Sequence, residues 1–153
     1  ELKRLRLGDF PVLEVCRLPE GSVTRIGPLE VRWAPTSHTV FSAGYLLTGD
    51  QVSILYSGDT TTTDQHWALG RTAEGLAAVF VETSFPDRPE HLALATGHLT
   101  PTLLARELAK LDKREVPVKI FHMKPQYLEE ISRELASCQE RCMVLDGNER
   151  FVF

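Results

Sequence analysis

The sequence has 153 residues, of which 42% are hydrophobic and 25% are charged, and its formal net charge at pH 7 is -4. This composition is typical of a soluble globular protein, and we expect one domain or part of one domain over residues 1–153. The acidic balance disfavours a broad surface for nucleic acid. No apolar run approaches the roughly 18 residues of a membrane span, so we expect no membrane association.

The three cysteines, Cys16, Cys138 and Cys142, do not form a disulfide pattern. Their number is odd, and no Cys-x-x-Cys pair occurs. We therefore expect a reducing compartment, with the cytoplasm as the default location. The spacing between Cys138 and Cys142 could be that of two metal ligands, but it is more typical of two small residues near a helix end.

The first third of the chain predicts antiparallel strands. Apolar and polar residues alternate through residues 10–35, with a Gly-Pro turn at 27–28. Two further strands are predicted at 39–47 and 51–56. His38 lies just before the first of these two strands, and Asp59 follows the second one. Both side chains are therefore expected at strand ends.

After Asp59, predicted helices alternate with predicted strands, which is typical of an α/β (α+β) fold. Glu82 and His122 each come at or just after the end of an apolar strand. Thr100 and Pro101 predict a capped helix start. The predicted helices cover 63–75, 91–95, 101–111 and 128–137, the predicted strands cover 77–82 and 117–121, and a final hairpin is predicted from 143–145 and 150–153.

Carboxylates and imidazoles at strand ends are candidate metal ligands. Open α/β sheets place their chemistry at the carboxyl ends of strands. Histidine nitrogen and carboxylate oxygen are ligands of zinc and manganese, and one aspartate can bridge two ions. Taken alone, residues 57–60 are also typical of an ordinary turn, and each histidine alone is more typical of surface or core. The repeated placement of His38, Asp59, His98 and His122 at such ends favours a metal site.

A series of short motifs resembles a known enzyme family. It resembles the C-terminal half of a metallo-β-lactamase-fold hydrolase, an αββα sandwich, over residues 38–147. More narrowly, the chain is similar to the class II cyclic-nucleotide phosphodiesterases. The motifs are residues 38–45, Tyr-Ser-Gly-Asp-Thr at 56–60, Val-Glu-Thr-Ser-Phe at 81–85, Gly-His-Leu-Thr-Pro at 97–101 and Phe-His-Met-Lys-Pro at 121–125.

The resemblance implies two divalent metal ions, with zinc expected and manganese or iron as alternatives. His38 and His122 would be terminal ligands, and Asp59 would bridge the ions. A hydroxide between the ions would hydrolyse 3′,5′-cyclic AMP or GMP, the expected small-molecule partner, to the 5′-monophosphate. His98 would be the general acid, and Glu82 would orient it and favour its charged form.

The sequence also allows interpretations for residues outside the metal set. Lys124 is a candidate phosphate contact, although a solvated surface lysine is the more common case. His66 is expected near the surface, with the rim of a cleft as the alternative. Trp67 and Tyr45 are expected in the core, and stacking on a nucleobase is the alternative. His91 receives no role.

One motif of the resembled family is missing from this sequence. No His-x-His-x-Asp-His segment occurs, so His38, Asp59 and His122 give only one terminal ligand per ion and the bridge. We therefore expect the N-terminal half of the same domain as a partner, and a homodimer is also compatible with the sequence. Two other interpretations stay open: an RNA 3′-end endonuclease similar to tRNase Z, and a non-catalytic scaffold with the same fold.

Overall fold

A computed structural model describes residues 3–7, 10–15, 17–138 and 141–153. Strands dominate the first third of the described chain, and helices alternate with strands after it. The strands are β1 Lys3–Leu7, β2 Phe10–Val15, β3 Thr24–Ile26, β4 Leu29–Thr36, β5 Ser42–Gly49, β6 Val52–Tyr56, β7 Leu76–Glu82, β8 Val118–Phe121 and β9 Cys142–Val144. The helices are α1 Gln65–Arg71, α2 Glu90–Thr96, α3 Pro101–Ala109 and α4 Leu128–Glu134.

Strands β3 to β9 form one seven-stranded sheet in chain order, and β1 pairs with β2 in a separate hairpin. From β3 to β6, each strand is antiparallel to the next. From β6 to β9, neighbouring strands are parallel. Short turns join the antiparallel strands, whereas helices make the crossovers that parallel strands need. The predicted α/β class is confirmed.

The core lies between the sheet and one layer of helices. Alternate residues of the central strands, such as Leu55, Val79 and Ile120, point to this side and are fully buried. Helix α3 begins as the sequence predicts, because the Thr100 side chain accepts a hydrogen bond from the Leu103 N–H and proline occupies the first turn. Its leucines complete the core against the strands.

The opposite face of the sheet carries aromatic side chains that are only partly covered. The rings of Tyr56 and Phe121 stack with their centroids 5.0 Å apart. Phe80 in β7 contacts the rings of Phe151 and Phe153 from the C-terminal segment. Tyr56 and Phe153 remain exposed. An apolar face of this kind is typical of a surface that packs against another layer.

The predicted C-terminal hairpin is wrong. Strand β9 pairs in parallel with β8, and residues 148–153 form no strand. The alternation at 150–153 arises because Phe151 and Phe153 pack on Phe80, while Val152 points outward and is exposed.

Several predicted boundaries also shift. Helix α1 is shorter than the predicted 63–75, and α4 ends at Glu134, where the 3₁₀ turn Leu135–Cys138 continues the chain. Strand β5 begins at Ser42 instead of residue 39. Strand β1, which pairs with β2, was not predicted from the sequence. The longest α-helix among the described residues has nine residues, and none of these helices is long and apolar enough to cross a membrane.

Candidate metal centre

The loop after β6 fixes the position of Asp59. Gly58 has a φ of +61°, and a Cβ there would lie 2.8 Å from the Ala43 carbonyl oxygen, so the tight turn requires glycine. The carbonyl of Asp59 accepts hydrogen bonds from the Thr36 hydroxyl at 3.1 Å and the Ser42 hydroxyl at 2.8 Å. These two hydrogen bonds hold the backbone of Asp59 in place.

His122 follows β8 and meets the Asp59 side chain. Its Nε2 lies 3.6 Å from the Asp59 Oδ1, and the two side chains are 46% and 40% exposed. His122 has a φ of +63°, a left-handed conformation that is uncommon for residues with a Cβ and often occurs at functional sites. The pair is therefore accessible to a ligand from solvent.

His98 completes a group of three potential ligands. One ligand atom from each of Asp59, His98 and His122 lies within 4.8 Å of the other two. The His98 Nδ1 is 2.8 Å from the Glu82 Oε1. Because a carboxylate accepts, Nδ1 carries the proton of this bond and Nε2 is the nitrogen left for chemistry at the cluster.

Glu82 is completely buried and accepts several hydrogen bonds. Besides His98, its carboxylate receives the Thr60 N–H at 3.0 Å, the Ser84 hydroxyl at 2.9 Å and the Leu99 N–H at 3.5 Å. Such a set of donors stabilises a buried negative charge. Glu82 thereby connects the loop of Asp59 with the ring of His98.

Thr60 and Ser84 were not recognised as part of the site from the sequence. Each is adjacent in the chain, or nearly so, to a residue that was recognised, Asp59 or Glu82. Hydroxyl residues beside a strand-end carboxylate are the signal that could have indicated them. Their role is to hold the recognised residues in place, since Thr60 also receives the Ser37 N–H on its hydroxyl at 3.2 Å.

His38 lies at the edge of the cluster. Its ring centroid is 4.9 Å from that of His98, and its Nδ1 is 3.0 Å from the carbonyl oxygen of Gly97. A carbonyl only accepts, so the His38 Nδ1 donates and Nε2 remains available as a ligand. Gly97 has a φ of +78°, and a Cβ there would lie 2.7 Å from the His38 Nδ1. The structure thus brings His38 near the other predicted residues, although the compact group of three does not include it.

Tyr56 borders the cluster from the open face of the sheet. Its burial and, secondly, the charge of Asp59 raise the pKa of its hydroxyl above the ordinary value. The hydroxyl therefore stays protonated over the physiological range and can act as a hydrogen-bond donor.

Lys124 lies beside the site, and its ammonium group lies over the ring of Phe85. The Lys124 Nζ is 4.8 Å from the centroid of Phe85, a typical cation–π distance. The Phe85 ring is in turn 5.8 Å from the ring of His98. The predicted phosphate contact would require the ammonium to leave this ring.

Three other sequence predictions concern residues outside the cluster. The base-stacking alternative for Trp67 is wrong, because its ring is fully buried in the core and its Nε1 donates to Glu107 at 2.7 Å. Tyr45 lies in β5, where it pairs with Trp33 and Tyr56. Cys16 lies outside the described residues, as does the Cys138 side chain, so the Cys138–Cys142 ligand pair stays an untested alternative.

The sequence indicated that His66 lies near the surface, and this prediction is wrong. It is fully buried in α1, and neither ring nitrogen has a hydrogen-bond partner among the described residues. Burial lowers the pKa of His66 to about 4. The ring fits because Gly44 has no side chain: a Cβ there would lie only 2.2 Å from the His66 Nδ1. A neutral imidazole, not a charged one, occupies this place.

The donor set at the cluster fits divalent transition ions. It offers carboxylate oxygen from Asp59 and imidazole nitrogen from His98, His122 and the nearby His38, and zinc favours such ligands. A catalytic zinc uses three protein ligands. The cluster could hold one ion with the present set, and a second ion would need further ligands.

The chain matches no protein-family profile and no curated protein sequence. Several solved structures share its fold. The metallo-β-lactamase-fold protein YhfI from Bacillus subtilis has a TM-score of 0.70 and 13% identity, over 85% of this chain and 52% of its own. The short form of human tRNase Z has a TM-score of 0.60 and 15% identity, over 80% of this chain and 42% of its own.

A third similar structure is zinc-bound PqqB from Methylobacterium extorquens, with a TM-score of 0.58 and 14% identity over 84% of this chain and 52% of its own. The chain thus spans about half the length of the solved structures that it matches. At these identities the likeness concerns the fold. The chain adopts part of the metallo-β-lactamase fold.

Proposed function

We propose that the chain contributes one half of a dinuclear-metal phosphodiesterase site that hydrolyses 3′,5′-cyclic nucleotides to 5′-monophosphates. The observation that carries the proposal is the meeting of Asp59, His98 and His122 within 4.8 Å at one sheet edge, with Glu82 behind His98. Metal ligands and a proton donor are both needed to cleave a phosphodiester with an alkoxide leaving group.

His38, Asp59 and His122 would hold the metal ions, with Asp59 between them. Divalent ions at this position would polarise phosphoryl oxygens and lower the pKa of water. The chain's own contribution is the position of the ligands. Hydrogen bonds to the Asp59 carbonyl and the Nδ1–H donation by His38 set the orientation of these groups before any ligand binds.

His98 would act as the general acid. Its Nδ1–H is engaged by Glu82, so a proton on Nε2 would be directed to the open side of the site, where the 3′-oxygen departs. Glu82 would be a positioning residue that also balances the charge of the imidazolium. Metal-bound histidines donate to carboxylates as well, so the metal content of a His98 variant separates an acid from a ligand.

The open aromatic face supports the presence of a partner layer. Tyr56, Phe80 and Phe121 lie on the side of the sheet away from the helices, and the chain spans about half the length of similar structures. The other half of the fold would cover this face. It would also supply the metal ligands that are needed in addition to His38, Asp59 and His122.

A second candidate is an RNA 3′-end endonuclease, which the similarity to human tRNase Z favours. The net charge of -4 favours the smaller substrate. The test compares turnover of cyclic AMP, cyclic GMP and a precursor tRNA by the full-length protein. The proposal predicts hydrolysis of a cyclic nucleotide and its loss in Asp59→Ala; cleavage of the tRNA alone would refute it.

A non-catalytic scaffold makes a different prediction. It would bind no stoichiometric metal and would hydrolyse neither substrate class. His98→Ala distinguishes the two roles that His98 could have in an enzyme. If His98 is the general acid, this variant keeps the metal content of the wild type and loses turnover. Loss of metal together with turnover would make His98 a ligand.

A further inference from the structure

A groove of about 610 Å³ opens beside His122. It lies between the end of β8, helix α4 and the turn that follows β9. Its volume is in the range of small-molecule sites. Apolar walls come from Phe121, Met123, Leu128 and Val144. We call it the β8–α4 groove.

The β8–α4 groove adjoins the candidate metal centre, since His122 belongs to both. A nucleotide whose phosphate is held at Asp59 and His122 could therefore extend toward the groove. Leu128 is 45% exposed in the groove wall, so the apolar surface is open to a ligand.

Carboxylates give the groove a negative side. Both oxygens of Glu149 are occupied, since they accept the N–H groups of Asp146 at 2.8 Å and Gly147 at 3.0 Å. The Oδ1 of Asp146 accepts the Asn148 N–H at 2.9 Å. The same Oδ1 also accepts the side-chain amide of Asn148 at 3.2 Å. A carboxylate offers about four acceptor sites, so Asp146 can accept a further N–H from a ligand beside these two.

These features fit one part of a nucleotide better than any other. A second phosphate would be repelled by Asp146 and Glu149. A planar base is uncharged, packs on apolar walls, and presents amino or imino N–H groups that a carboxylate can accept. The half-buried Ser132 adds a hydroxyl to the same lining.

We propose that the β8–α4 groove binds the nucleobase, with an N–H edge of the base directed to Asp146. This inference rests on the proposed function, because the phosphate must lie at the metal centre. Specificity for bases with an N–H edge then depends on Asp146, and the apolar walls supply most of the affinity.

The test measures equilibrium binding to the full-length protein, loaded with zinc, of AMP, GMP and ribose 5-phosphate. Ribose 5-phosphate carries the sugar and the phosphate without a base. We expect at least one of the two nucleotides to bind about tenfold more tightly than ribose 5-phosphate, the gain typical of one stacked base. Asp146→Asn should reduce this ratio about threefold, as expected for one charge-assisted hydrogen bond.

Two tryptophan variants complete the test. Ser132→Trp fills the groove and should bring the affinity ratio close to one. Leu94→Trp is the matched control, because Leu94 is on helix α2, is 44% exposed and does not line the groove. This variant should keep the wild-type ratio.

Equal affinities for the nucleotides and ribose 5-phosphate in the wild type would overturn the inference. A ratio that survives Ser132→Trp would do the same. If the base effect occurs as expected but no cyclic nucleotide is hydrolysed, the proposed function fails and the base site stands. If cyclic nucleotides are hydrolysed without any base effect, the proposed function stands and the base site fails.

Discussion

Glu82 and Glu107 are both buried glutamates, with 0% and 2% of their surfaces exposed, but they serve different regions of the molecule. Glu82 ends β7 and binds the ring of His98 at the candidate metal centre. Glu107 lies in α3 and accepts from the Trp67 indole at 2.7 Å and the Thr63 N–H at 2.9 Å. The first carboxylate faces the site, and the second joins two helices.

The comparison indicates that the groups bonded to a buried carboxylate determine whether it serves stability or chemistry. Each carboxylate has a nearly complete set of donors, which any buried ion requires. Glu107 also pairs with Lys110, whose Nζ lies 2.7 Å from its Oε1. The partners of Glu107 are a core ring, the backbone and a lysine, so its effect is on stability. The key partner of Glu82 is an imidazole beside an open cluster, so the proposed function expects its effect on chemistry.

Glu82→Gln is expected to give the largest effect on activity. Removing the charge behind His98 should lower kcat about 10²- to 10³-fold, the range of a general acid, while KM changes little. Steady-state kinetics of the full-length protein on cyclic AMP and cyclic GMP over pH 5 to 9 would check it. A wild-type pH profile with wild-type kcat would remove Glu82 from the proposed mechanism.

Glu107→Gln should show the opposite pattern. One donor to the carboxylate loses its acceptor, and the ion pair with Lys110 is broken, so the free energy of unfolding should fall by about 3 to 4 kcal/mol. Urea unfolding measures the loss. Kinetics at a temperature where the variant is folded should show kcat close to that of the wild type. If this variant lost activity without stability, the division between the two regions would be wrong.

His66 lies in the same helix layer as Glu107, and its burial should make the stability of the fold depend on pH. Its pKa is about 4 in the folded state, below the ordinary 6.5, so the unfolded chain binds the proton more tightly. This contribution leaves stability intact above pH 6.5 and reduces it as pH falls from 6.5 to 4, by at most about 3 kcal/mol. His66→Leu should flatten this part of the curve in urea unfolding. Parallel curves for the two proteins would contradict the burial of a neutral ring.

Thr100→Ala should have the smallest effect. It removes the cap bond to the Leu103 N–H, which lies 3.3 Å from the hydroxyl, and should cost about 1 kcal/mol of unfolding free energy. Thr62→Ala, at an exposed loop threonine, is the control and should cost nothing measurable. Equal losses in thermal or urea unfolding of the two variants would show that the cap does not hold α3.

Local patterns in the sequence predicted most of the elements. Gly-Pro turns, β-branched runs and the Thr100-Pro101 start were sufficient for the strands of the sheet and for α3. They failed where a tertiary contact decides the structure. Residues 150–153 alternate like a strand but pack their rings on Phe80, and His66 is buried because Gly44 leaves room for its ring.

The candidate site was predicted less from local pattern than from a resemblance. Strand ends alone place Asp59 and His122 at one sheet edge, but β7 lies between their strands, which sets β6 and β8 roughly 10 Å apart. The loops must lean together for the two side chains to meet at 3.6 Å. The hydrogen bonds of Thr60 and Ser84 to Glu82 also depend on the folded chain, because a hydroxyl residue near a strand-end carboxylate does not by itself indicate its partner.

The metal content of the full-length protein and its Asp59→Asn variant tests the central claim most directly. The proposed function claims that His38, Asp59 and His122 hold bound cations, with Asp59 as the shared ligand and His98 beside them as the acid. We predict about two transition ions per chain in the wild type, the content of a two-metal site, and the loss of at least one in the variant. Equal metal content in two folded proteins, or none in the wild type after incubation with zinc, would contradict it.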